Sequence, residues 1–144
     1  MTYYAQTPAD TFRLGERFAA RLQGGEVVSL EGDLGMGKTL FTKGLAAGLG
    51  ITETVTSPTF TVMNDYAGRL NLYHYDAYRL ASLEEAEEAG LTECLADPRG
   101  VTVVEWAENL GTAFVPRITT VVRFACKDGG RELTFDDKQN TGKT

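Results

Sequence analysis

The stretch Glu31-Gly32-Asp33-Leu34-Gly35-Met36-Gly37-Lys38-Thr39 constrains this chain more than any other. Glycine loses more backbone freedom on folding than any other residue, so three in six positions imply a path that side chains would forbid. The loop follows an apolar run, 26–30, that reads as a buried strand. It precedes 39–49, which reads as a helix closed by Gly50. Between a strand and a helix, G-x-x-x-x-G-K-T is a phosphate-binding loop whose amide N–H groups converge on an anion, helped by the helix N-terminus. Lys38 is expected to reach the terminal phosphates and the Thr39 hydroxyl to ligate Mg²⁺. Asp33, Leu34, Gly35, Met36, Gly37, Lys38, Thr39 and Leu40 form the expected nucleotide-binding run. A glycine-rich turn with a coincidental Lys-Thr is disfavoured, because eight positions and both flanking elements agree.

The rest of the chain reads as one α/β domain of 144 residues, long enough to bury a core without metal or disulfide support. Residues 10–22 place Phe12, Leu14, Phe18, Ala19 and Leu22 on one helical stripe, with Pro8 and Asp10 as start signals and Gly15 as a blemish. Runs 59–66 and 70–77 suggest a hairpin around Ala67-Gly68. Ser82 and Glu85 have capping-box spacing before a short acidic helix, 83–89, and 91–95 adds another helical turn. A buried strand is expected over 101–106. A last hairpin, 118–125 with 132–135, turns at Asp128-Gly129-Gly130. The polar tail from Asp136 is expected to fray, so residues 1–136 are taken as the domain and 137–144 as a tail.

A net charge of −6 argues against a broad surface for nucleic acid. Cys94 and Cys126, with a single histidine, offer almost no material for structural zinc and read as reduced thiols. With neither a leader nor a membrane-length apolar run, the expectation is a cytoplasmic protein away from membranes.

A magnesium-dependent phosphate loop needs an acid at the end of a neighbouring strand. Val101-Thr102-Val103-Val104-Glu105 ends in one, so Glu105 is the candidate second magnesium contact. In Leu72-Tyr73-His74-Tyr75-Asp76-Ala77-Tyr78-Arg79, strand alternation puts His74, Asp76 and Tyr78 on one face. Asp76 could orient the attacking water or hold metal-bound water, with His74 and Arg79 shaping its surroundings; a solvated polar face is the plainer reading. Thr59, in Ser57-Pro58-Thr59-Phe60, is either a γ-phosphate-sensing residue or part of an ordinary turn. Trp106 is either a core residue or a contact to a switch segment. Asp97-Pro98-Arg99-Gly100 spells D-x-x-G but precedes its strand, and no Asn-Lys-x-Asp segment follows. Adenine is therefore preferred to guanine by elimination. A small-molecule kinase and a non-hydrolysing ATP-dependent binding module remain as rivals.

GDLGMGKT, SPTF, HYDAYRL and VEW, in this order over residues 26–110, resemble the TsaE family, the P-loop ATPases of bacterial tRNA threonylcarbamoyladenosine biosynthesis. The first motif is shared by many ATPases; His-x-Asp-x-Tyr-Arg after Ser-Pro-Thr-Phe is far more specific. The resemblance implies a single P-loop domain with a central mixed sheet flanked by helices and an antiparallel hairpin inserted after the P-loop helix. It implies Mg²⁺-dependent ATP hydrolysis in support of TsaD and TsaB-like partners, not the threonylcarbamoyl transfer itself. In that scheme tRNA is reached through the complex, and weak self-association stays open. By motif match, Lys38 and Thr39 take phosphate and magnesium roles, Glu105 the acidic magnesium role and Asp76 a hydrolysis role. Thr59, His74, Tyr78, Arg79 and Trp106 are assigned to switch or partner-facing positions. Met36 stands where the family often has a small residue.

Overall fold

The computed structural model describes residues 1–33, 35–58 and 62–138. Its sheet has the order β1-β7-β6-β2-β5-β4-β3. These strands are β1 (Thr2–Ala5), β2 (Val27–Glu31), β3 (Met63–Tyr66), β4 (Asn71–Asp76), β5 (Gly100–Glu105), β6 (Thr120–Lys127) and β7 (Gly130–Asp137). The central pairs β6–β2, β2–β5 and β5–β4 are parallel, and antiparallel strands flank them on both sides. The expected mixed sheet with its inserted β3–β4 hairpin is therefore present.

Helices α1 (Pro8–Ala19) and α2 (Lys38–Gly48) cover one face of the sheet. Helices α3 (Leu83–Glu88) and α4 (Leu91–Ala96), with the segment around Leu110 and Phe114, cover the other. The α1 stripe packs through Leu14 and Phe18 against Phe41 and Leu45 of α2. Phe41 is fully buried and meets Phe124 edge-on at 5.7 Å; truncating such a ring to alanine costs about 3–5 kcal/mol. Gly15, a blemish in the helical pattern, is where α2 crosses. A methyl group there would overlap the Phe41 carbonyl, and one at Gly44 would overlap the Phe12 carbonyl. Backbone proximity outweighs the helix-propensity cost of about 1 kcal/mol per glycine.

Several boundaries move for local reasons. Thr7 caps α1 in a reciprocal box with Asp10, which starts the helix earlier than 10. Instead of running to Leu22, α1 ends at Ala19, where the Arg69 guanidinium donates to the carbonyls of Ala19 (2.8 Å) and Leu22 (3.1 Å). Asp128 and Gly129 both take positive φ, the geometry of a tight hairpin turn joining β6 and β7. The fraying expected from Asp136 is wrong for two residues. Asp136 and Asp137 pair with Val121 and Thr120, and Asp137 accepts from Arg21 and Thr120. Residues 139–144 lie outside the described residues. Strand β1 was invisible to periodicity, because only Ala5 of its four residues is buried.

Candidate active site

On the α2-facing side of the sheet, each central strand is apolar until its carboxyl end and then turns polar. Leu72 gives way to His74 and Asp76, Val101 and Val103 to Glu105, and Val28 and Leu30 to Gly32. Parallel register sets Leu30 beside Glu105 and Glu105 beside Asp76. The phosphate loop and two carboxylates thus converge outside the carboxyl ends of parallel strands, where open α/β sheets bind ligands.

The loop is built for an anion. Gly37 takes the left-handed conformation (φ 98°) as N-cap of α2, and no side chain caps that terminus. The orphan first-turn amides point out of the helix, with its positive dipole end behind them. Gly35 (φ 81°) has open space where a Cβ would stand. Lys38, 5% exposed, donates through Nζ to the Gly32 carbonyl at 2.6 Å. The same ammonium lies 3.9 Å from Glu105 Oε1 and 4.8 Å from the Trp106 ring centroid. Gly35, Gly37, Lys38, Thr39 and Leu40 line one cavity of about 550 Å³ with Ser57, Asp76, Tyr78, Arg79, Glu105 and Trp106. Of the expected loop residues, Asp33 is exposed, and Met36, its sulfur 3.5 Å from Cys126 Sγ, lines a neighbouring cavity instead of this one. Leu34 and Thr59 lie outside the described residues.

Glu105 is buried, and its oxygens are divided: Oε2 lies 2.8 Å from His74 Nε2 and Oε1 faces Lys38. Asp76 Oδ1 accepts from the Tyr78 amide at 3.0 Å. Burial pushes the Asp76 carboxyl above its ordinary range and the neighbouring Glu105 adds to the rise; the Tyr78 amide, His74 and Lys38 oppose it. Acids shifted in this way are enriched at functional sites, which makes Asp76 a candidate.

Two assignments change. His74 is neither on a solvated face nor partner-facing; it is completely buried behind Glu105. Tyr78 does not continue the face of Asp76, because β4 ends at Asp76 and Ala77–Arg79 form a 3-10 turn. That turn carries Tyr78 out to 59% exposure, its ring tilted 60° against that of Trp106 with centroids 5.1 Å apart. Trp106 itself lies outside β5, in a left-handed conformation (φ 61°) that aims its ring back over Lys38. Unusual backbone of this kind gathers at functional sites.

Sequence reasoning missed Asn109, whose amide donates to the carbonyls of Ala77 (2.9 Å) and Tyr78 (3.2 Å) and so ties down the strand end that carries Asp76. It also missed Arg131, which donates to the Gly35 carbonyl at 3.3 Å. Arg131 lines a second cavity of about 300 Å³ with Thr7, Thr11, Gly35 and Gly37. Neither residue sits in a motif; only folding brings Asn109 to the end of β4 and Arg131 to the loop. Asp97, by contrast, lies at the opposite end of the sheet, beside the start of β5.

Comparison with known proteins agrees with this geometry. The family described as "Threonylcarbamoyl adenosine biosynthesis protein TsaE" matches residues 5–133. The tRNA threonylcarbamoyladenosine biosynthesis protein TsaE of Treponema pallidum is 46% identical over 134 residues, covering 93% of this chain and 98% of its own. The protein of the same name from Bacillus subtilis is 44% identical over 129 residues, covering 89% and 80%. A crystal structure of Bacillus subtilis YdiB superimposes with a TM-score of 0.75 at 36% identity, covering 97% of this chain and 86% of that one. The chain belongs to the TsaE family, P-loop proteins of tRNA threonylcarbamoyladenosine biosynthesis.

Proposed function

We propose that this chain hydrolyses ATP with Mg²⁺ and thereby supports threonylcarbamoyl modification of the adenosine beside the tRNA anticodon, as an accessory to TsaD and TsaB-like proteins and not as the transferase. Family membership supports an ATP-dependent role in that pathway. The observation that carries hydrolysis is the meeting of Lys38, Glu105 and Asp76 in one cavity beside an uncapped helix N-terminus.

The donor set fits ATP and magnesium. The Gly35–Leu40 amides and the Lys38 ammonium bind the phosphates, and Lys38 exchanges its bond to the Gly32 carbonyl for phosphate oxygens. Thr39 and Glu105 supply the hard oxygen ligands that Mg²⁺ requires, directly or through water. A magnesium ion held there would supply neutralisation of the charge that develops on the phosphates. Asp76 orients the attacking water and accepts its proton, which requires the ionised form. Trp106 covers Lys38 and keeps bulk water from the ammonium. The second cavity, on the other side of Gly35 and Gly37 and bordered by Arg131 and Thr11, receives the nucleoside. Tyr78, exposed and packed at an angle against Trp106, with Arg79 beside it, presents the nucleotide state to a partner. The net charge of −6 fits a protein that leaves the grip on tRNA to the complex.

The test is phosphate release from ATP by the purified chain, alone and with a TsaD–TsaB pair and tRNA, scored with multiple-turnover tRNA modification. Mg²⁺-dependent release, and modification that stalls without this chain, are expected. Transfer of the γ-phosphate to a small acceptor would establish the kinase alternative. Equal modification with and without the chain would overturn the accessory role.

A further inference from the structure

We propose that His74 is a positioning residue that sets the orientation of the Glu105 carboxylate, so that Oε1 is the oxygen presented to magnesium. The inference rests on the reading of Glu105 as the magnesium acid. Glutamate has three side-chain torsions and could turn its carboxylate several ways, and Asp76, its neighbour in register, repels it. His74 removes that freedom. Its ring is fully buried on the inner face of β4, one strand over from Glu105, and its Nε2 meets Oε2 at 2.8 Å. The tautomer with hydrogen on Nε2 gives Glu105 a donor, and Nδ1, which is buried without a hydrogen-bond partner among the described residues, then carries no hydrogen in need of an acceptor. With Oε2 engaged, Oε1 is left on the cavity side, 3.9 Å from Lys38 Nζ.

The arrangement resembles the outer-shell histidine and carboxylate pairs that orient metal ligands, with the order reversed: here the carboxylate is the ligand and the imidazole its support. Asp76 lies two residues beyond His74 on the same strand, so one rigid segment fixes both acids relative to each other. A fully buried imidazole with one unpaired nitrogen is a poor packing unit, and its use is its bond to Glu105.

The experiment measures the affinity of a non-hydrolysable ATP analogue by calorimetry, in Mg²⁺ and in EDTA, for wild type and for His74→Phe, His74→Gln and Glu105→Gln. His74→Phe is expected to lower the affinity gain due to Mg²⁺ by about 10-fold, leaving the affinity in EDTA unchanged. His74→Gln, whose amide keeps a donor at similar reach, is expected to restore most of the gain. If the phenylalanine variant does not fold, His74→Asn, whose amide falls short of Glu105, takes its place. A full magnesium gain in His74→Phe beside a lost gain in Glu105→Gln overturns the role of His74 alone. Equal losses in Mg²⁺ and EDTA for His74→Phe assign it a merely structural part and overturn the inference too. A full gain in Glu105→Gln overturns the reading of Glu105 and the inference with it.

Discussion

Strands β4 and β5 carry acids near both of their ends, and the two ends are built by opposite rules. Just before the start of β5, Asp97 accepts from Asn71 Nδ2 (3.0 Å), Tyr73 Oη (2.7 Å) and the Arg99 amide (2.9 Å). These bonds, that from Asn71 foremost, hold its carboxyl below the ordinary range, although the residue is partly buried. At the carboxyl ends, Glu105 is buried, Asp76 is half-buried, and burial raises Asp76. A carboxylate whose hydrogen bonds are satisfied by protein donors stabilises the fold. One that is desolvated beside another acid is destabilising until a cation or a phosphate complex arrives, and such acids gather where chemistry is done.

That contrast can be broken at several points. Lys38→Ala is expected to have the largest effect, lowering ATP turnover by about 10²–10³-fold with the fold retained, as judged by thermal melting beside a phosphate-release assay. Unchanged turnover in a folded variant would remove Lys38 from the site. Asp76→Asn follows, with hydrolysis reduced about 10²-fold and ATP binding preserved in calorimetry.

The same substitution tests the electrostatics. A carboxyl whose folded pKa is raised contributes stability below its unfolded value and loses it as pH rises through the folded one. Asp76→Asn should therefore melt higher than wild type near neutrality, and the gap should close as the pH falls through the acid range. Wild-type hydrolysis should decline over that same interval as Asp76 takes up a proton. A melting gap that ignores pH would mean that Asp76 is not desolvated. Next in size is a change in Trp106 emission on addition of Mg²⁺-ATP, as Lys38 leaves the ring face for phosphate; a flat signal at saturation would contradict that exchange. At the far end, Tyr73→Phe removes one bond to Asp97, whose proximity raises the phenol to about 12. It should cost about 1 kcal/mol in chemical denaturation and leave hydrolysis at the wild-type rate.

The site was legible in unequal measure. The loop could be read because phosphate binding fixes glycines, lysine and threonine at set spacings within one strand–turn–helix unit. Glu105 could be read because its strand is apolar up to that residue. Tyr78 was placed on the wrong face because strand alternation was carried past Asp76, where the chain turns into a 3-10 helix. For His74 the sequence left open whether it shapes the surroundings of Asp76 or sits on a solvated face, because a histidine in a strand does not show whether its partner is water or a carboxylate from the next strand. Asn109 and Arg131 had no local signature at all, since their partners are backbone carbonyls 32 and 96 residues away.

By itself, then, the sequence determined the glycine loop between its strand and helix and most of the strands and helices around it, and it singled out Glu105 and Asp76 as candidate acids. Each of these is written in short-range spacing, where periodicity and loop chemistry act. Only the tertiary structure decided how those groups face one another: that Glu105 gives one oxygen to His74 and the other to the cavity, that Trp106 bends back over Lys38, and that Arg131 comes round to the loop. The reason is physical. Parallel pairing of β4, β5 and β2 sets residues distant in sequence side by side, and the orientation of a buried carboxylate depends on its neighbours rather than on its own position in the chain.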